Sequence, residues 1–192
     1  MDSQQQAEQI LQETGVLLNG HFILTSGKHS AQYMQCARIL QYPAHTETLI
    51  KGLADAFHGD NIDVVIGPAM GGVIIAYELA RQLGAKNLFA EREDGKMTLR
   101  RSFAVEKGQR VLVAEDVITT GGSVREVMDV VCEGGGVVAG VAILVDRSMG
   151  QADFGVKTKA AYTADIVAYD AADCPLCKAG GLPAVKPGSR TL

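Results

Sequence analysis

The apolar positions of this chain recur in two rhythms. Over residues 43–57 they fall at helical spacing, with Leu49, Ile50, Leu53, Ala54 and Phe57 on one stripe and Pro43 in the first turn. Ala7, Ile10 and Leu11 make a shorter stripe over 6–13, which Gly15 stops. Helical spacing returns at 73–83 and 124–131. Elsewhere the apolar residues bunch into runs: Val64-Val65-Ile66 after Ile62-Asp63, Leu88-Phe89-Ala90 after Asn87, Val111-Leu112-Val113-Ala114, and Val137 through Val145. Such runs read as strands buried on both faces of a parallel sheet. Strands alternating with helices predict an α/β domain. A last strand is predicted at Tyr162–Tyr169. Near the N-terminus, Val16–Leu18 and His21–Leu24 are predicted as two short strands about an Asn19-Gly20 turn, and Tyr33–Cys36 as another. Gly59 is the predicted C-cap of the 43–57 helix.

The chemistry gathers behind the run at 111. Glu115-Asp116-Val117-Ile118-Thr119-Thr120-Gly121-Gly122-Ser123 follows it, and then a helix. Ligands of open parallel sheets bind at the carboxyl ends of strands. The turn's N–H groups and the helix N-terminus suit a phosphate, and glycines let the backbone approach it. A carboxylate pair beside a phosphate cradle must serve another part of the ligand. Two neighbouring hydroxyls or a metal ion would satisfy it. Phosphate at one end and diol at the other describe a ribose 5-phosphate. No G-x-G-x-x-G follows the strand, and no G-K-[ST] occurs. An ordinary strand–turn–helix corner is the plain alternative; the coincidence of strand, acids, turn and helix speaks against it. A second strand–turn–helix unit, with Ala69-Met70-Gly71-Gly72 in its turn, is a second possible anion cradle.

Composition narrows the class. A chain of 192 residues can bury a full core as one domain with a small appended lobe. A net charge of -4 argues against general binding of nucleic acid. No apolar run approaches the ~20 residues of a membrane span. The polar start Met1-Asp2-Ser3-Gln4 lacks a signal peptide's pattern, so a cytoplasmic location is expected. Four cysteines, at 36, 132, 174 and 177, are too few and too scattered for a disulfide framework. His45 and His58 read as surface residues. Cys174-Pro175-Leu176-Cys177 is half of a zinc site, and no second pair of thiols completes it within the chain. A dimer could supply two more ligands, or the thiols could be redox-active.

The 111–123 segment resembles the phosphoribosyl-pyrophosphate (PRPP) motif of the type I phosphoribosyltransferases. Ser26-Gly27-Lys28-His29-Ser30, with Tyr33 beyond it, is similar to a Ser-Gly-Lys/Arg-x-Ser segment of the orotate phosphoribosyltransferases. The first resemblance spans about 60–150; with the Lys28 segment and the tail, the second spans most of the chain. It implies a type I phosphoribosyltransferase fold: a central, mostly parallel sheet flanked by helices. A single domain, 1–192, would have a core at about 43–150 and a small hood at about 1–42 and 151–192.

The implied reaction joins orotate to PRPP, giving orotidine 5-phosphate and pyrophosphate in pyrimidine biosynthesis. The implied roles follow. Glu115 and Asp116 hold the ribose hydroxyls, Thr120 to Ser123 anchor the 5-phosphate, and Val117 to Thr119 complete the PRPP motif. Ala69, Met70, Gly71 and Gly72 grip pyrophosphate. Residues 91–98, charged and holding a glycine, read on their own as a solvated hairpin; the resemblance implies a mobile loop there that closes on the pyrophosphate, with Arg92 and Lys96 as the catalytic cations, although the familiar bacterial loop is longer and carries a histidine. Thr119, Arg147 and Lys28 hold orotate. Mg²⁺ is the expected cofactor, carried by PRPP rather than by side-chain ligands. A homodimer is expected, each loop serving the partner's site. The rivals are a purine phosphoribosyltransferase, which would have no use for Lys28 and Arg147, and a PRPP-sensing regulator, which would need a DNA-binding module.

Overall fold

The computed structural model describes residues 3–24 and 26–187. Met1, Asp2, Thr25 of the 25–33 loop and residues 188–192 of the tail lie outside the described residues. Helix α1 (Ser3–Glu13) precedes strands β1 (Leu17–Ile23) and β2 (His29–Met34), and a 3-10 helix covers Cys36–Gln41. There follow α2 (Pro43–Phe57), β3 (Val64–Pro68), α3 (Gly71–Leu83), β4 (Lys86–Glu93), β5 (Lys96–Leu99), β6 (Arg110–Ile118) and α4 (Gly122–Glu133). The chain continues through β7 (Val137–Asp146), β8 (Thr158–Thr163) and the short α5 (Pro175–Ala179).

The central sheet runs β5-β4-β3-β6-β7-β8. Only the β4–β5 pair is antiparallel. The apolar runs are explained by burial on both faces. Leu112, Ala114, Ala142 and Leu144 pack with residues of α1, α2 and α3. Their neighbours Val111, Val113, Val141 and Ile143 point the other way, against Val124, Val127 and Val131 of α4. Each such valine or leucine contributes about 1.5–3 kcal/mol by leaving water. Because both faces are apolar, polarity alone selects neither; the turns at the strand ends orient the residues that carry chemistry.

Strands β1 and β2 form a separate antiparallel pair. The C-terminal segment clamps it. The Ile23 N–H donates to Val185 O at 2.8 Å, and His29 and Tyr169 exchange backbone bonds of 2.8 Å in both directions. The Ser30 hydroxyl donates to Val167 O at 2.8 Å. N-terminal and C-terminal segments together thus build the small lobe.

Several local expectations are corrected. Asn19-Gly20 is no turn: β1 runs through it with a bulge between Asn19 and Phe22. The reversal comes after Ile23, where Gly27 takes φ +81 and its N–H donates to Leu24 O. Cys36 opens the 3-10 helix rather than ending a strand. Helix α2 closes on His58 in right-handed geometry, so Gly59 is not a left-handed cap. The last strand lies at Thr158–Thr163, and Tyr169 makes only an isolated bridge with His29. Of the two forms open to 91–98, the segment takes the hairpin: Arg92 pairs with Met97 and Glu93 with Lys96 across the two-residue turn Asp94-Gly95. Both turn residues have positive φ, +50 and +82, as tight hairpins between twisted strands require.

Candidate active site

Strand β6 delivers the acidic pair to the carboxyl edge of the sheet. Glu115 is buried and Asp116 half-buried. The Asp116 N–H donates to Glu115 Oε1 at 3.1 Å, and the Val117 N–H to Asp116 Oδ1 at 3.0 Å. Burial, reinforced by the neighbouring Asp116, pushes the Glu115 carboxyl up to about 9. The buried Glu115 carboxyl therefore holds its proton more tightly than an exposed one would.

The turn after β6 is shaped for an anion. Gly121 takes φ +76, and a Cβ there would lie 2.6 Å from the Phe154 ring, so only glycine suits. No side chain caps α4. Its first N–H groups accordingly face the cleft without a capping partner. Arg92, Glu115, Thr119, Thr120, Ser123 and Glu126 help to line a cavity of about 250 Å³. A second cleft, about 400 Å³, shares Thr119 and Thr120 and extends to Arg125, Arg147, Ser148 and Gln151. Thr119 and Thr120 thus stand between a phosphate-sized cradle and a cationic recess.

The β3–α3 turn abuts the same acids. A Cβ on Gly71 would run into the Asp116 carboxylate, and one on Gly72 would sit 3.1 Å from Glu115 Oε1. The Ala69–Met70 peptide is cis, and Met70 is 84% exposed. Two sequence segments more than forty residues apart therefore share one wall, joined where glycine leaves room for a carboxylate.

The cations are placed unevenly. Arg92 lines the first cavity, but its guanidinium lies 2.6 Å from Glu126 of α4 and donates to Gly95 O at 3.0 Å. Lys96 is exposed at the start of β5, lines neither cleft and makes no ion pair among the described residues. Arg147 is exposed in the second cleft, fixed by its N–H to Ile118 O at 2.9 Å. Asp146 does not pair with it. That buried carboxylate accepts the N–H groups of Ser148 at 2.7 Å and Gly150 at 3.1 Å, and so shapes the loop that carries Arg147. Lys28 lies outside both clefts, with its ammonium 3.5 Å from Asp170 in the small lobe.

Two groups of residues escaped the sequence. Glu126, which holds Arg92, gave no signal, because its helical position is an ordinary surface one. His21 and His29 meet Cys174 and Cys177 in the small lobe. This corrects the view that the chain supplies only half of a zinc site. The spacing signal stopped at C-x-x-C, because the histidines arrive from a hairpin roughly 150 residues upstream.

Comparison with known proteins places this geometry. Residues 36–154 match the phosphoribosyl transferase domain family. The orotate phosphoribosyltransferase of Pelotomaculum thermopropionicum is 62% identical over 183 residues, covering 95% of this chain and 96% of that protein. That of Desulforamulus reducens is 57% identical, covering 95% of each chain. The crystal structure of the orotate phosphoribosyltransferase from Aeropyrum pernix superposes with a TM-score of 0.68 at 29% identity, covering 81% of this chain and 92% of that one. With the acids at the Gly71–Gly72 turn, the anion turn beside them and a cationic recess that shares Thr119 and Thr120, and these relatives alongside, the chain belongs to the phosphoribosyltransferase family, within its orotate phosphoribosyltransferase branch.

Proposed function

We propose that the chain transfers the 5-phosphoribosyl group of PRPP to orotate, releasing pyrophosphate and forming orotidine 5-phosphate. The observation that carries this reading is the cleft itself. The Glu115–Asp116 pair stands against the Gly71–Gly72 turn, next to the Thr120–Ser123 cradle, and the Arg147 recess opens beyond Thr119.

Each part has a task. Backbone N–H groups and hydroxyls of Thr120 to Ser123 hold the 5-phosphate. Glu115 and Asp116 hold the two ribose hydroxyls by hydrogen bonds. The Asp116 carboxylate also favours positive charge on the ribose ring as pyrophosphate departs, so catalysis is mainly positioning and electrostatics. The backbone of Ala69 to Gly72 receives the pyrophosphate, with Arg92 at the cavity wall. Arg147 presents a planar fork of donors that matches orotate's carboxylate, and Thr119 flanks the ring. Mg²⁺ would enter on the oxygens of PRPP itself, beside the Asp116 carboxylate at the Gly71–Gly72 turn, and would offset charge on the leaving pyrophosphate.

One assignment points to a second subunit: Lys96 lies outside the clefts of its own chain, so a homodimer that lends Lys96 to its neighbour accounts for a cation that is exposed on a hairpin and without an ion pair among the described residues. Among the described residues no helix is long and apolar enough to cross a membrane, which accords with a cytoplasmic enzyme.

The test mixes purified protein with Mg²⁺, PRPP and orotate and follows orotate's ultraviolet absorbance, with adenine, hypoxanthine, xanthine and uracil in parallel. Orotate should be consumed as pyrophosphate is released. Turnover of a purine alone would overturn the Arg147 assignment. PRPP binding without turnover of any base would leave a sensor.

A further inference from the structure

The small lobe holds a cluster that the transfer reaction does not use. His21 Nε2, His29 Nδ1 and the two thiol sulfurs of Cys174 and Cys177 all lie within 4.8 Å of one another. Three of the four residues are buried. Cys177 Sγ is 3.6 Å from His21 Nε2 and 3.2 Å from His29 Nδ1, and Cys174 Sγ is 3.7 Å from His21 Nε2. A tetrahedral ion with Zn–S of ~2.3 Å and Zn–N of ~2.0 Å has S···N edges of about 3.5 Å. The three sulfur–nitrogen distances bracket that value. The two nitrogens, 2.9 Å apart, need to separate only slightly.

Three local features serve the cluster. First, the bulge in β1 sets the facing of the histidines. Beyond it Ile23 pairs with His29, and His21, within the bulged stretch, meets His29 with Nε2 2.9 Å from Nδ1. In the register before the bulge the two rings would lie on opposite faces. Second, His21 Nδ1 is 3.0 Å from Leu182 O. A carbonyl only accepts, so Nδ1 carries the proton and Nε2 presents its lone pair to the cluster. A ring N–H bound to a backbone carbonyl is the usual outer support of a ligating histidine. Third, Cys174 and Cys177 bracket the first turn of α5, where Gly180 closes with φ +66 and its N–H reaches Cys177 O at 3.3 Å. Both thiols thereby face the hairpin, and neither is in a disulfide.

We propose that His21, His29, Cys174 and Cys177 bind one Zn²⁺ per chain as a closed, structural site. Two thiolates and two imidazoles suit zinc over the oxygen-seeking Mg²⁺ of the active site. Four protein ligands leave no open position for catalysis. The ion fastens β1 and β2 to the C-terminal segment, which otherwise depends on a few backbone bonds and exposed contacts. The Lys28 turn lies between the two histidine strands, so the same fastening sets its place. This holds whether or not the proposed reaction is correct.

The experiment is elemental analysis of untagged full-length protein, as purified and after dialysis against Zn²⁺ with a reducing agent. One zinc per chain is expected, falling to near zero in Cys174→Ser and in His21→Asn. Replacement by Co²⁺ should give the intense visible bands of tetrahedral cobalt with sulfur-to-metal charge transfer. Stripping wild-type protein with a chelator should lower Tm by about 5–15 °C, and zinc should restore it; this arm needs no variant to fold. Zinc must also protect two thiols from Ellman's reagent. Absence of stoichiometric metal after reconstitution would overturn the site. So would a Cys174–Cys177 disulfide in the native protein by mass, or zinc retained in the Cys174→Ser variant.

Discussion

The cradle at the end of β6 and the knot in the small lobe are both polar constellations, but they are assembled oppositely. The cradle is nearly contiguous: Glu115 through Ser123 lie on one strand, one turn and one helix start. The knot draws two residues from a hairpin and two from a segment about 150 residues later. A contiguous site needs only local geometry to be correct. A dispersed one needs the whole small lobe closed, so it reports on tertiary closure. The cradle should therefore respond to substitutions chiefly in catalysis, and the knot chiefly in stability.

Gly71→Ala presses that contrast hardest. Its methyl group would enter the space of the Asp116 carboxylate. We expect kcat/KM to fall by about 100-fold, near 2.7 kcal/mol of transition-state stabilisation, with far-ultraviolet circular dichroism unchanged. Activity within twofold of wild type would mean that the two turns do not share a functional wall.

Asp116→Asn removes charge while keeping shape. A loss of roughly tenfold or more in kcat is expected if the carboxylate favours a cationic ribose. Unchanged turnover would reduce Asp116 to a hydrogen-bond acceptor.

Lys96→Ala and Arg147→Ala should each be severely impaired alone. Mixed under subunit exchange they should recover up to about a quarter of wild-type activity, because one hybrid site in a random dimer carries both wild-type residues. Exchange demonstrated without recovery would place Lys96 in its own subunit's chemistry, or outside chemistry altogether.

A further test reads stability instead of turnover. The Glu115 carboxyl is raised from 4.5 to about 9 in the folded state, chiefly by burial. Between those values the folded protein binds more protons than the unfolded chain. Stability of the ligand-free protein should therefore fall as pH rises through that window, by at most about 1.4 kcal/mol per pH unit from this group. Urea unfolding across pH 5–9 measures the slope, and Glu115→Gln should flatten it. An identical slope in the variant would assign the titration elsewhere.

The limits of reading by pattern show at particular residues. Hydrophobic runs were enough for β3, β6 and β7, because a strand buried on both faces must be apolar throughout, whereas β4 shows only the short run Leu88–Ala90 between exposed ends. The charged stretch 91–98 fits a solvated hairpin as readily as a mobile loop, and it is cross-strand pairing of Arg92 with Met97 and of Glu93 with Lys96 that gives it its form. The Asn19-Gly20 signal failed because a bulge, rather than a reversal, absorbs the extra residue.

What the sequence by itself determined is the central strands β3, β4, β6 and β7, the helices α2, α3 and α4, and the acidic pair followed by its glycine turn. Those features depend on interactions within a few residues, where side-chain period and turn chemistry act directly. Only the tertiary structure decided that Gly71 makes room for Asp116, that Arg92 leans on Glu126, that Lys28 turns to Asp170, and that two histidines reach two cysteines. Each of these is a meeting of distant segments. Such meetings are set by how the sheet, its helices and the small lobe pack together, and no local spacing encodes them.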